Sequence, residues 1–208
     1  MTSGAAASPG GEVEVSPDGR LARRDRNRLA VLDAVIELFA EGVLDPTPDD
    51  VAQRVGLSSR SVYRYFEDRD ALLRAAIDRN LERVLPLFLI HAIGEGALDV
   101  RIDRLVRARL RLYEAVAASF RASKARAAVD EVIREQVELT RRALREQIEM
   151  HFAPELEAGA IGHRRARTAA IDTLTQFDAL DHYRVHRGFS SSETRNLLAD
   201  ALRALLEP

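Results

Sequence analysis

The stretch Val51–Phe66 leaves this chain few ways to fold. Val51, Ala52 and Val55 fall at i, i+1 and i+4, the apolar stripe of a short helix. Gly56 ends that helix, because a residue without Cβ takes the left-handed conformation cheaply. Leu57 is an apolar plug, and Ser58 is a good N-cap for a second helix starting at Ser59. Val62 and Phe66, four apart, give the second helix a buried side. Ser59, Arg60, Ser61, Tyr63, Arg64 and Tyr65 are left facing outward. Short hydroxyls, two arginines and two tyrosines on one face suit the DNA major groove. Arginine reads guanine edges there, and hydroxyls hold phosphates. Two helices around a tight turn make a helix-turn-helix, but an ordinary helical hairpin has the same backbone. The flanks separate the two readings. Thr47 precedes Pro48 and lies three before Asp50, so a capped helix begins there with an acid in its first turn. Asp68 caps the next helix, which places Arg69 against the helix dipole and points to an external anion such as phosphate.

The formal net charge of −2 gives no global attraction to nucleic acid, so DNA binding must rest on a local patch. Arg20, Arg23, Arg24, Arg26 and Arg28 stand against Asp25 alone just before the first apolar stripe. By itself such a run is a solubilising tail; beside a helix-turn-helix it reads as an arm crossing the phosphate backbone. With no cysteine, disulfides and thiolate metal sites are excluded. No apolar run approaches the roughly 18 residues of a membrane span, and the N-terminus shows no basic-then-apolar leader. The expected location is the cytoplasm.

Residues 1–19 are rich in small residues, Pro and Gly and are expected to form a disordered tail. A first helix is predicted from Leu21 to Glu41 on Leu29, Leu32, Val35, Ile36 and Phe39. A helix after Asp68 should break near Arg83–Leu85 because of Pro86. The run Leu85–Ile90 is apolar on every side and is expected to be buried all round. Asp99 is the expected cap of a helix whose core side is Ile102, Leu105, Val106, Leu110 and Tyr113, with Arg101, Arg104, Arg107 and Arg111 on a solvated face. The pattern loosens around Ser119–Arg126, which suggests a short connecting helix. A long helix from Ala127 to Phe152 follows, with Val129 and Val132 in its inner stripe, and then one from His163 to Arg187. Ser190 and Glu193 form a capping box for the last helix. No strand pattern occurs, so the fold is all-α, with about nine helices. The expected domains are a helix-turn-helix unit over 20–68 and a ligand-binding and dimerisation unit over 69–208.

Polar groups on otherwise apolar helices mark a candidate ligand cavity: Phe88, Tyr113, Gln136, Thr140, Gln147, His151, Thr173, Gln176 and Phe177. Each singly also reads as a satisfied core residue. Ala166 and Ala170 allow close helix approach, and with Leu174, Phe177, Leu197, Leu198, Leu202 and Leu205 they form the expected dimer interface. His182 and His186 have the i, i+4 spacing of metal ligands, but no Glu follows the first His. With no Gly-rich phosphate loop and no nucleophile elbow either, neither an enzyme nor a metal or cofactor is expected.

Several motifs stand in one register: Leu38-Phe39-Ala40-Glu41-Gly42, Thr47, Val51-Ala52, Val55-Gly56-Leu57-Ser58, Ser61-Val62-Tyr63-Arg64-Tyr65-Phe66, Arg69 and Leu72-Leu73. Together they resemble the N-terminal domain of the TetR (tetracycline-repressor-like) family over roughly residues 24–75. Departures are mild: Ser61 for the usual Thr, Tyr65 where His is common, Arg69 for Lys, and the acidic pair Asp49-Asp50. The resemblance implies a homodimeric, ligand-responsive repressor on a near-palindromic DNA operator. DNA contacts are expected from Thr47, Ser59, Arg60, Ser61, Tyr63, Arg64, Tyr65 and Arg69. An unknown small-molecule effector would move the fourth helix and change the spacing of the two readers. The near-neutral charge keeps a second reading open, a helical small-molecule-binding or scaffold dimer that does not bind DNA.

Overall fold

In the computed structural model the described residues are 17–158 and 161–207. The expected disordered tail lies outside them except for residues 17–19, which begin a helix. Among the described residues there are ten α-helices and no strand. None of these helices is long and apolar enough to cross a membrane.

α1 (Pro17–Ala40) buries Val31, Leu32, Val35, Leu38 and Phe39, whereas Leu29 is exposed. The stripe therefore starts one turn later than its spacing suggests. Gly42, at φ 90°, turns the chain out of the helix. α2 (Pro48–Val55) is fixed by a capping box, in which Thr47 Oγ accepts from Asp50 N while the Asp50 carboxylate accepts from Thr47 N at 2.8 Å. Gly56, at φ 67° and ψ 32°, closes α2 by donating its N–H to Ala52 O. Ser58 caps α3 (Ser59–Tyr63), a short helix continued by a turn in which Tyr65 N donates to Val62 O. Val62 and Phe66 are its buried side.

α4 (Arg69–Val84) begins at the Asp68 cap and packs Leu72, Leu73, Ala76 and Ile77 into the same core as α1. Arg79 meets Asp33 of α1 through two 2.9 Å hydrogen bonds, and Arg83 adds a third at 3.2 Å. Those hydrogen bonds hold the Asp33 carboxyl below its ordinary pKa. Pro86 ends α4 as expected, and a 3-10 turn covers Leu85–Phe88. The expectation that Leu85–Ile90 is buried all round fails. Leu85 and Leu89 are exposed, because a short 3-10 turn on the surface presents one side only.

α5 (Leu98–Arg126) runs unbroken through the segment expected to be a separate connecting helix. Ser119 and Ser123 return their hydroxyls to the carbonyls of Val116 and Ser119, so these buried serines do not interrupt it. Its cap position is Ala97, and Asp99 lies inside the first turn, paired with Arg203. Two of its arginines are not solvated at all: Arg101 is 4% exposed and Arg109 3%. Asp130 caps α6 (Glu131–His151), which starts later than expected, so Val129 lies in the loop and Val132 on the outer face, both exposed. α7 (Ala153–Glu157) follows Phe152. The predicted single helix His163–Arg187 is three pieces: α8 (Ile161–Thr175), α9 (Phe177–Asp181) and a π turn over His182–His186. The capping box of Ser190 and Glu193 starts α10 (Ser191–Leu206).

Two apolar cores result. The first joins α1–α4 to Ala122 of α5 and to Ile133 and Val137 of α6, so the expected division at residue 68 passes through one continuous core. The second is built on Ile102, Leu105, Tyr113, Ile148, Phe152, Leu180, Leu198 and Leu202. Arg101 joins the ends of α5, α6 and α7 by donating to Gly96 O, to His151 O at 2.8 Å and to the Glu155 carboxylate. His151, fully buried, accepts from Gly94 N at 3.0 Å through Nδ1 and faces Arg101 O with Nε2, so Nε2 carries the proton. Burial pushes its pKa down, which keeps the ring neutral.

Candidate nucleic-acid interface and effector cavity

The candidate recognition surface is the outer side of α3. Val62 and Phe66 seat it, and Arg28 of α1 lies over the Phe66 ring at 5.1 Å. Arg54 of α2 binds Glu41, just past the end of α1, through two hydrogen bonds of 2.7 and 2.6 Å, which fixes the supporting helix. Arg60, Tyr63 and Arg64 are exposed, Tyr63 at 53%. Among the described residues no carboxylate pairs with Arg60 or Arg64, whereas Arg54, Arg69 and Arg79 are each paired with an acid. Arg23, Arg24 and Asn27 of α1 border an open groove whose other wall is Arg64 and Tyr65. The basic run of α1 and the end of α3 therefore share one concave face rich in arginine.

The remaining expected contact residues are placed differently. The Thr47 hydroxyl is engaged in its capping box with Asp50. The Ser59 hydroxyl donates to Asp49 of α2, and the Ser61 hydroxyl lies 2.9 Å from that of Ser58. Tyr65 is half-buried against the first core. Arg69 corrects the argument from the helix dipole. Its guanidinium donates to Pro46 O at 3.2 Å and to Asp45 O, and pairs with the Asp45 carboxylate at 2.7 Å. The anion that offsets its position is the protein's own loop. Arg126 at the end of α5 also reaches Asp45 and Asp70, at 3.2 and 2.7 Å, which fastens this loop to the C-terminal bundle.

In the C-terminal bundle α8 and α10 present a shallow apolar groove of Ala169, Ala170, Thr173, Leu174, Ala201, Ala204 and Leu205. Of the expected interface residues, Ala170, Leu174 and Leu205 line it, and Ala166 is exposed on the same helix. Phe177, Leu198 and Leu202 do not face outward. Phe177 packs on Tyr113 and Phe120, and the two leucines are fully buried in their own chain. Leu197 is half-buried against the second core. The two-residue-wide stripe of α10 is thus two rows: Leu198, Leu202 and Leu206 point inward, and Ala201 and Leu205 edge the groove.

Among α4, α5, α6 and α9 lie two adjoining cavities of about 70 and 40 Å³. Phe88, Val116, Phe120 and Thr140 belong to both. Gln136 lines the larger; Tyr113, Gln176 and Phe177 line the smaller. Three expected cavity residues lie elsewhere. His151 is locked to Gly94 and Arg101, and Thr173 returns its hydroxyl to Ala169 O on the outer groove. Gln147 sits behind the wall, accepting from Arg109 at 2.7 Å and donating to Phe88 O at 2.6 Å. The smaller cavity adds a residue that the sequence reading missed, Arg109. Its position seven after Ile102 and four after Leu105 places it on the apolar stripe of α5, a signal legible beforehand.

Residues 31–76 match the family profile described as bacterial regulatory proteins, tetR family. The HTH-type transcriptional regulator BetI of Escherichia coli is 28% identical over 90 residues, 42% of this chain and 46% of that protein. The match therefore spans about half the length of the curated relative. A solved tetR-family transcriptional regulator from Streptomyces coelicolor superposes with a TM-score of 0.67 at 22% identity, covering 87% of this chain and 80% of that one. One described as putative, from Rhodococcus sp., gives 0.65 at 19% identity, covering 88% of this chain and all of the other. These two likenesses extend the shared fold into the C-terminal bundle. Residues 31–76 thus match the tetR-family profile, and the chain as a whole shares the all-α fold of solved tetR-family transcriptional regulators.

Proposed function

We propose that this chain is a homodimeric DNA-binding regulator, and a repressor, whose operator affinity is set by a small molecule in the C-terminal bundle. The observation that carries the reading is the unpaired outer face of α3, with Arg60, Tyr63 and Arg64 exposed beside the groove of Arg23, Arg24 and Asn27. In a chain of net charge −2 whose described residues pair many arginines with acids, such as Arg54, Arg79, Arg121 and Arg195, free arginines on a rigid helix face are a feature that DNA explains. Arg60 and Arg64 are assigned to base or phosphate contact. Tyr63 and the α1 arginines hold the backbone. Thr47 and Ser59 donate to DNA only by giving up an internal hydrogen bond.

The groove on α8 and α10 supports pairing with a second copy, because alanines let two helix pairs approach closely about a two-fold axis. A dimer would place two recognition helices about 34 Å apart in successive major grooves. Effector control is assigned to α4, which is pinned to α1 by Asp33 and ends at the cavity beside Phe88. The alternative, a bundle that only binds a ligand or a partner, lacks a use for the exposed arginines.

Titration of duplex binding against salt tests the proposal. Binding carried by Arg23, Arg24, Arg60 and Arg64 from each subunit should fall by about ten-thousandfold between about 50 and 200 mM salt. A nearly flat salt dependence would contradict it.

A further inference from the structure

We propose that the paired cavities form a binding site for an amphipathic anion, a carboxylate on an extended apolar body, with Arg109 as the residue that holds the head group. The proposal deepens the effector half of the function above and rests on that reading of the bundle.

Arg109 is 3% exposed and lines the smaller cavity. Its two terminal nitrogens donate to neutral oxygens, Gln147 Oε1 at 2.7 Å and Leu144 O at 2.8 Å. Its Nε–H is buried and has no acceptor. Among the described residues no carboxylate lies within ion-pair distance of it; Asp172, the acid whose field it feels, is engaged by Gln176 Nε2 at 2.6 Å. Arg101, buried to the same degree, shows the ordinary solution, a direct pairing with Glu155. A buried cation without a counter-charge is costly, and the fold retains this one against a cavity wall. Burial pushes the guanidinium down to about 10, so it is still charged at neutral pH.

The surroundings define the rest of the ligand. Around the charge the walls are Leu112, Val116, Phe120, Leu144 and Leu180. Beyond Phe88 and Phe120 the larger cavity continues toward Ile77 and Val84 of α4. A carboxylate at Arg109 with an apolar chain passing these two rings would offset the charge and fill both spaces. A neutral ligand leaves the charge unpaired, and a cation is repelled.

The same contact reaches the DNA-reading end. Gln147 accepts from Arg109 and donates to Phe88 O, in the 3-10 turn that continues α4. A carboxylate that takes Arg109 from Gln147 Oε1 leaves the Gln147 amide held at its Nε2 end by Phe88 O alone, and Phe88 lines both cavities. Ligand charge is thereby linked to the end of α4 by one side chain.

Calorimetric titration of the full chain with octanoate, its neutral isostere octanamide, and octylamine tests the proposal. Octanoate should bind at least about tenfold tighter than octanamide, and octylamine should not bind. Arg109→Met should abolish the octanoate preference while leaving octanamide affinity within about twofold. Equal affinities for octanoate and octanamide in the unmodified chain would overturn the proposal, as would no octanoate binding, or a preference that survives in folded Arg109→Met. The comparison in the unmodified chain decides even if the variant does not fold. Duplex binding is measured separately. Its loss with octanoate preference intact counts against the regulator reading alone.

Discussion

Replacing Arg60 and Arg64 together by alanine is expected to weaken binding to the selected duplex by about 100-fold or more, with unchanged folding. A base or phosphate contact from arginine is worth about 1–3 kcal/mol, and these two are the exposed, unpaired arginines of the recognition helix. Little stability is at stake, because neither side chain is buried or hydrogen-bonded. The control is Arg111→Ala, an equally exposed arginine on α5 far from the reader in sequence. It should leave duplex affinity within about twofold. Fluorescence anisotropy at fixed salt, with thermal unfolding in parallel, separates the cases. Equal losses in the double variant and the control would mean that net charge alone drives binding.

The largest effect on stability is expected at a residue outside any interface. Glu155→Ala should destabilise the fold by about 3 kcal/mol in urea unfolding, because it strands the buried guanidinium of Arg101. The carbonyls of Gly96 and His151 still accept from Arg101, so its hydrogen bonds survive but its charge is uncompensated. Arg203→Ala provides the contrast. Arg203 pairs with Asp99 and Asp200 on the surface, both acids largely exposed, and its loss should cost less than about 1 kcal/mol. If the two variants unfold at the same urea concentration, the Arg101 junction does not hold α5, α6 and α7 together.

Local chemistry made the helix-turn-helix legible in the sequence. A Thr-Pro-x-Asp capping box, a left-handed glycine and a serine cap each fix backbone by short-range hydrogen bonds, and all three occur where their residues stand. Pro86 likewise stops α4 by removing a donor. The errors came where tertiary contacts decide. Arg69 looked misplaced against a helix dipole because its partners, Asp45 and Pro46, lie more than twenty residues back. The spacing of Arg101 reads as a solvated position because its partner Glu155 is 54 positions away. The leucines of α10 gave a wide stripe but not which row faces the chain's own core. Gln147 was correctly seen as polar on an apolar helix, yet its role as a strut between Arg109 and Phe88 depends on the packing of α5, α6 and the 3-10 turn.

Selection of random duplex DNA on the purified chain, at about 50 mM salt and with the Arg60→Ala, Arg64→Ala variant in parallel, examines the DNA-reading surface most directly. A near-palindrome with half-sites about ten base pairs apart should emerge, and the variant should fail to enrich it. Absence of any enriched sequence at that salt, or the same enrichment by the variant, would contradict the assignment of α3 as the reading helix.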